Sequence, residues 1–179
     1  MPIIEDPVAW PLAERIRDCL CEMLENSLPV KCCCIWYGDS VPWDDCSAEG
    51  DREGMAWVRI ETDYATDNFP DPIVRPSPCG GMDGWTVQLE LGVMRCAPTV
   101  NTNRMLPDCE ANTGAAWKAA HDKHLMRRVL MCCDWRENDQ QFVIGQWRPQ
   151  GGEGGCQGGV LPVTVHVPEA CICGEHGGK

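Results

Sequence analysis

Cysteine and histidine are the residue types in this sequence that could do chemistry, because thiolates and imidazoles bind metals and act as nucleophiles. Fourteen of the 179 residues are cysteines and four are histidines. The cysteines include the run Cys32-Cys33-Cys34 and the pair Cys132-Cys133. Zinc ligands usually come in pairs with roughly two to four residues between the members, whereas neighbours on a strand point to opposite faces. These adjacent cysteines therefore favour partly buried thiols over a metal centre.

The best arrangement of metal-ligand types is Cys171, Cys173 and His176. It lies in the last residues of the sequence and lacks a second ordered pair of ligands. Cys19 and Cys21 are one residue apart on a predicted helix, where their side chains diverge by ~200°. A small zinc-binding or redox protein that uses the terminal cluster remains an alternative reading.

Catalytic signatures are missing from the sequence. His121 and His124 are three residues apart on a predicted helix, but the zinc-protease motif is His-Glu-x-x-His, so they indicate a half-exposed helix face. No Cys-x-x-Cys redox motif occurs. The glycine-rich run 151–159 has no Lys-Ser or Lys-Thr after it and precedes a strand, whereas a phosphate-binding loop opens a helix. We therefore predict no enzyme, no catalytic residue, no metal and no cofactor.

Composition indicates a folded and acidic protein. Hydrophobic residues make up 44% and charged residues 23%, and no apolar stretch approaches the roughly 20 residues of a membrane span. The first residues carry no signal-peptide pattern, so synthesis in the cytoplasm is expected. The net charge of −12 disfavours wrapping nucleic acid or docking on an anionic membrane. Such a surface suits a wall past which DNA slides, although plain solubility is the more common reason for an acidic composition.

Hydrophobic periodicity predicts an α+β fold. Helices are expected at 8–25, with Asp6 and Pro7 at its start, and at 114–135, with Thr113 as its cap. Strands are expected at 30–37, 55–64, 85–93, 141–147 and 160–167, and loops at 38–54, 68–84 and 150–159. The order α-β-β-β-α-β-β predicts a mainly antiparallel sheet of about five strands with both helices on one face. We expect one domain over 1–170 and a short polar tail over 171–179.

Three phrases, read in this order, carry a family resemblance. They are CCCIWYGDSVPWDDC at 32–46, the pair NFPDP and ELGVMRCAPT at 68–72 and 90–99, and GQWRPQGGEGGCQGGVLPVTVHV at 145–167. Together they resemble the head–tail connector proteins, in particular the tail terminators, of long-tailed phages that infect actinobacteria. The resemblance covers roughly residues 10–167 and contains no active-site motif.

The resemblance implies a structural virion protein at the head–tail junction that is assembled in the host cytoplasm. Its subunits would form a closed ring, typically a hexamer, that ends the tail tube. The implied partners are the major tail tube protein and the stopper protein of the head connector, with DNA passing through the lumen without sequence-specific binding and no membrane involved. The neighbouring stopper or adaptor ring is the alternative within this class.

The resemblance also implies where subunits meet. We expect the three long loops to reach neighbouring subunits, with Trp36, Trp43, Trp147 and Arg148 as interface candidates. Ordinary core packing is the alternative for each tryptophan. Some of the cysteines in or beside the matching phrases are expected to form disulfides in the particle: Cys34, Cys46, Cys79, Cys96 and Cys156.

Overall fold

The first helix begins and ends almost where its sequence predicts. The computed structural model describes residues 6–42, 48–49, 51–73, 83–99, 107–137, 140–153 and 155–168. Helix α1 spans Ala9–Glu25. The Asp6 carboxylate accepts hydrogen bonds from the backbone N–H groups of Val8, Ala9 and Trp10, with N–O distances of 2.9–3.3 Å. Because these N–H groups have no partner within the helix, Asp6 fixes the point at which α1 starts.

The second helix begins earlier than predicted. Helix α2 spans Cys109–Cys132, and the Asp108 carboxylate accepts from the backbone N–H of Ala111 at 2.7 Å. The prediction of Thr113 as the cap was therefore wrong. Thr113 lies inside the helix and its hydroxyl donates to the carbonyl of Cys109 at 2.7 Å, a bond that only a helical backbone offers. Trp135, predicted to end the helix, lies beyond it.

The described residues also form nine strands in two sheets. They are β1 Cys32–Tyr37, β2 Ala48–Glu49, β3 Arg52–Glu53, β4 Met55–Asn68, β5 Asp71–Pro72, β6 Gly84–Cys96, β7 Phe142–Ile144, β8 Arg148–Glu153 and β9 Cys156–Val167. The main sheet has seven strands in the order β1-β4-β6-β9-β7, with β5 also pairing β4 and β8 also pairing β9. The other two, β2 and β3, form a small hairpin. The α+β class is confirmed, with more strands than expected.

One strand pair departs from the antiparallel expectation. β1 and β4 are parallel, with Cys32 opposite Met55 and Tyr37 opposite Ile60, while the other pairs of the main sheet are antiparallel. A parallel pair needs a crossover of roughly a dozen residues or more. The connection 38–54 is long enough to provide it and contains the β2–β3 hairpin.

Glycine in the run 151–159 serves close packing as well as turning. Instead of a loop through to residue 159, the run contributes to β8 and to the start of β9. A Cβ on Gly158 would lie 2.0 Å from the carbonyl oxygen of Val93, and one on Gly159 would lie 2.3 Å from the Trp147 ring. The missing side chains let β6 and Trp147 approach β9, so a high glycine content here does not prevent strand formation.

The main hydrophobic core lies between the helices and one face of the sheet, as predicted. Leu12, Ile16 and Leu20 of α1 and Met126 and Leu130 of α2 are fully buried there against β4, β6 and β9. Two disulfides join the layers. Cys19–Cys133 links α1 to the residue after α2, and Cys21–Cys33 links α1 to β1.

A second, smaller cluster covers the opposite sheet face near the start of β4. Its buried members are Val41, Trp57, Met94, Cys156 and Val160. Trp57 packs closely on Gly92, its register partner on β6, where an added Cβ would come within 2.2 Å of the indole ring.

Candidate subunit-contact surfaces

The outer face of α2 is the most unusual surface of the described chain. We call it the α2 surface and define it by six residues, namely Trp117, His121, His124, Arg127, Arg128 and Met131. Trp117 and Met131 are 59% and 57% exposed, although large apolar side chains usually pack inside. The four other members of the surface, two histidines and two arginines, lie between them. An exposed aromatic ring with arginines beside it is the composition of an interface hot spot.

Positive charge on α2 is not compensated locally. Within the described part of the chain, no carboxylate forms an ion pair with Lys123, Arg127 or Arg128. These cations stand out because the whole chain carries a net charge of −12. An unpaired basic face on an acidic protein favours an acidic partner.

A groove between α1 and α2 borders this surface. It has a volume of about 540 Å³ and its lining includes Glu22, Ser27, His124 and the Cys19–Cys133 disulfide. Ser27 Oγ and His121 Nε2 are 2.6 Å apart, and the His121 ring stacks on Trp117 with 5.2 Å between centroids. These contacts order the exposed ring of Trp117 before any partner binds.

Two ion pairs fix α2 against the end of the sheet where β4 begins. Lys118 Nζ lies 2.5 Å from Glu53 Oε1, just before β4. Arg95 Nε and Nη2 donate to the two oxygens of Asp122 at 2.6 and 2.8 Å, and Nη2 also donates to the carbonyl of Leu28 at 2.8 Å. The Arg95 and Asp122 side chains are only 3% and 1% exposed, so this is a buried pair that positions the helix.

The far end of the sheet is acidic. Its exposed carboxylates, which we call the acidic sheet end, are Asp63, Asp67, Asp71 and Asp83. Residues 60–73 contain no lysine or arginine. Burial raises the pKa of the Asp63 carboxyl, and the nearby charge of Asp6 raises it further. Asp67 is twelve residues beyond Met55 on β4, which at about 3.3 Å per residue is roughly 40 Å from the end that anchors α2.

A polar network lies on the sheet face away from the helices. Glu90 is only 6% exposed and binds two arginines, with Arg59 Nε at 3.0 Å and Arg148 Nη2 at 2.7 Å. Arg59 also pairs with Glu61. The network borders a pocket of about 290 Å³ that Trp57 also lines, and the buried indole N–H of Trp57 has no hydrogen-bond partner. The charges here are matched, so the network stabilises the sheet rather than attracting a charged partner.

The tryptophans predicted at the interface take varied positions. Trp36 is half-buried against the smaller cluster, and Trp147 is half-buried against the main core. Trp43 lies outside the described residues. Arg148, 53% exposed, binds Glu90. The structure thus shows intramolecular packing for Trp36 and Trp147, and their role in subunit contact stays a prediction.

The cysteines predicted to form disulfides differ in state. Cys34 carries a free thiol, Cys156 is disulfide-bonded, and Cys96 lies opposite Cys156 in the β6–β9 register. Cys46, Cys79 and the terminal Cys171, Cys173 and His176 lie outside the described residues. The Cys19–Cys133 and Cys21–Cys33 bridges were not anticipated. Their partners come together only through the packing of α1, which spacing alone does not reveal.

Comparisons with protein-family models and with curated proteins found no relative. Among the residues that the structure covers, no helix is long and apolar enough to cross a membrane. Over the same residues, no group of three or more His, Cys, Asp or Glu side chains is placed to hold a metal ion.

Proposed function

We propose that this chain is a structural subunit that assembles head to tail into a ring at the head–tail junction of a long-tailed phage, where the ring ends the tail tube. The observation that supports the proposal most directly is the charge asymmetry of the subunit. Its α2 surface is basic and its acidic sheet end is negative, and the two lie toward opposite ends of the sheet.

This asymmetry favours one kind of contact. In a two-fold dimer built on either surface alone, like charges would face each other. A head-to-tail contact instead pairs the α2 surface of one copy with the acidic sheet end of the next. Repeated contacts of this kind close into a ring when the rotation per subunit divides a full turn.

The charged pairs set orientation rather than most of the affinity. Exposed ion pairs contribute only about 0.2–1 kcal/mol each, whereas buried aromatic and arginine anchors dominate interface energies. Trp117 and Met131, at the two ends of the α2 surface, are the apolar anchors that this contact would cover. The charges between them then select the register and exclude wrong pairings.

Within the described residues, the phrases that resemble tail terminators include β1, the β4–β5 turn, the second half of β6 and the β8–β9 hairpin, and they do not include helical residues. This supports the proposal through the family resemblance.

The proposal is tested on particles assembled without this protein. We expect tails of unregulated length that are not attached to heads, as seen by electron microscopy, and restoration of joined particles when the protein is supplied. Normal joined particles in its absence would contradict the proposal. Native mass spectrometry of the purified protein should show a closed multiple of the subunit mass rather than a monomer.

Binding assays separate the terminator from its neighbours. A terminator ring should bind the end of the assembled tail tube, whereas a stopper or adaptor ring should bind only the head connector. Elemental analysis addresses the remaining alternative, because near-stoichiometric zinc in the purified protein would favour a metal-binding protein that uses the terminal cysteine and histidine cluster.

A further inference from the structure

Four sulfur-containing side chains lie on one patch of the sheet face away from the helices. Cys32 and Cys34 are two residues apart on β1, so both point to the same side, with their Cα atoms roughly 6.6 Å apart. Met55 is the register partner of Cys32 on β4, and Met94 is the register partner of Met55 on β6. Cys34 and Met55 both pack against the small cluster that contains Met94. We call this group the sulfur patch.

The two thiols of the sulfur patch are free and lie on the same side of β1. Cys32 is exposed and Cys34 is half-buried, and neither is disulfide-bonded. Cys33, between them, points to the helices and is bonded to Cys21, so it does not compete for a ligand. Two free thiols on one face of β1, with the disulfide-bonded Cys33 between them on the other face, form a two-thiol donor set that loses its protons when a metal binds.

The donor types select the ligand. Thiolates and thioethers are soft donors that favour Cu(I), whereas zinc in proteins usually takes four ligands from Cys, His and carboxylates. The patch offers two thiols and the thioether of Met55, and among the described residues no His, Asp or Glu forms a metal-binding group with them. Cys32 is exposed and Met94 is fully buried, so an ion can enter from the Cys32 side and face an apolar wall on the other.

We propose that Cys32, Cys34 and Met55 form a binding site for a monovalent copper ion. On binding, each thiol forms one S–Cu bond and its proton passes to the solvent, while the Met55 thioether completes the coordination without losing a proton. Copper arrives as Cu(I) and leaves as Cu(I), so no electron is transferred. The proposal does not depend on ring assembly.

The test is an anaerobic Cu(I) titration of the purified protein with its disulfides intact, in competition with the chelator bathocuproine disulfonate. We expect the Cys32→Ser/Cys34→Ser variant to bind one copper ion fewer per chain than the unchanged protein. Met55→Leu, which keeps the side-chain volume, should lower the affinity for that copper ion at least about tenfold. The control variant Cys109→Ser/Cys132→Ser removes two other free thiols and should retain it. Equal copper binding by the Cys32→Ser/Cys34→Ser variant would overturn the proposal.

A second measurement needs no substitution and so does not depend on variants that fold. Dibromobimane bridges two thiols only when they are close together, and peptide mass spectrometry locates the bridge. We expect a Cys32–Cys34 bridge in the copper-free protein and protection from it by one equivalent of Cu(I). If both thiols were alkylated singly and never bridged, the site would be disproved.

Discussion

Cys34 is the thiol whose surroundings change its chemistry most. Burial raises its pKa to about 11, and the adjacent Cys32 thiol contributes in the same direction through its charge and its hydrogen bond. The reactive species is the thiolate, so a raised pKa slows reaction at neutral pH. The free thiols of this chain should therefore differ in their rates of alkylation.

We predict that iodoacetamide modifies Cys34 roughly tenfold more slowly than the exposed Cys109 at pH 8, because the scarcity of thiolate outweighs its higher intrinsic nucleophilicity. The Cys34 rate should keep rising as the pH approaches 11, where its thiol ionises. Time-resolved peptide mass spectrometry measures both rates in one sample. Equal rates at pH 8 would contradict the raised pKa.

Gly92 offers a second prediction at this scale. An added methyl group would lie 2.2 Å from Trp57 Cε2 and Cζ2, and Trp57 is almost fully buried. Gly92→Ala should therefore lower the free energy of unfolding by about 1–3 kcal/mol. Gly114→Ala is the matched control, because Gly114 lies within α2 with nothing within 4 Å of its would-be Cβ. This control should be neutral or raise stability by up to about 1 kcal/mol, as measured by urea unfolding.

Among the elements, α2 depends on one buried ion pair. Replacing Asp122 with alanine leaves the Arg95 guanidinium uncompensated in the core, and we predict a loss of about 3–5 kcal/mol. Glu137→Ala, which removes the partner of the more exposed Arg15, should cost at most about 1 kcal/mol. Denaturant unfolding of both variants provides the comparison.

The double variant Arg95→Met/Asp122→Leu shows whether Asp122→Ala destabilises by removing the ion pair or by leaving the buried Arg95 without a counter-charge. Because it removes both charges and keeps much of the volume, it should be more stable than Asp122→Ala alone. A double variant as unstable as Asp122→Ala would mean that the geometry of the pair, rather than its charge balance, holds α2 in place.

The elements also show what sequence patterns can and cannot reveal. α1 was predicted almost to the residue because its cap and apolar stripe coincide in the sequence. The start of α2 was missed because residues 109–113 contain no large apolar side chain and give no helical stripe, while the cap that decides the boundary is Asp108. The parallel pairing of β1 with β4 depends on contacts between distant segments, which local spacing does not contain.

The candidate site was less predictable than the fold. The clustering of Lys118, Lys123, Arg127 and Arg128 within eleven residues of an acidic chain was a visible signal. What the sequence could not show is which of these cations lack a partner. That depends on Glu53, sixty-five residues away, pairing with Lys118 and leaving the others unpaired.

At the scale of the whole molecule, the opposed charges predict how copies recognise each other. Arg127→Glu/Arg128→Glu should abolish self-association, and so should Asp67→Lys/Asp71→Lys, because each variant places like charges across the contact. Mixing the two variants should restore assembly, since the reversed surface of each then faces the reversed surface of the other. Native mass spectrometry reads out all three samples.

Arg136→Glu controls for the change in net charge. Arg136 is exposed, lies over the Phe142 ring and belongs to neither of the two charged surfaces as defined above, so its reversal should leave assembly intact. Assembly that is lost equally in this control, or that is not restored in the mixture, would refute the head-to-tail arrangement. The contact should also weaken at high salt, where exposed charges are screened.

Cys19 and Cys21 sit on different sides of one helix and tie it in two directions, one to the end of α2 and one to β1. Any single break of the backbone between residues 19 and 133 therefore leaves two fragments that are still covalently joined. In the phage particle that we propose, the subunit would meet proteases outside the host and could not be replaced. A subunit cross-linked in this way would stay in place after one backbone cleavage, and only reduction of the disulfides would release the fragments.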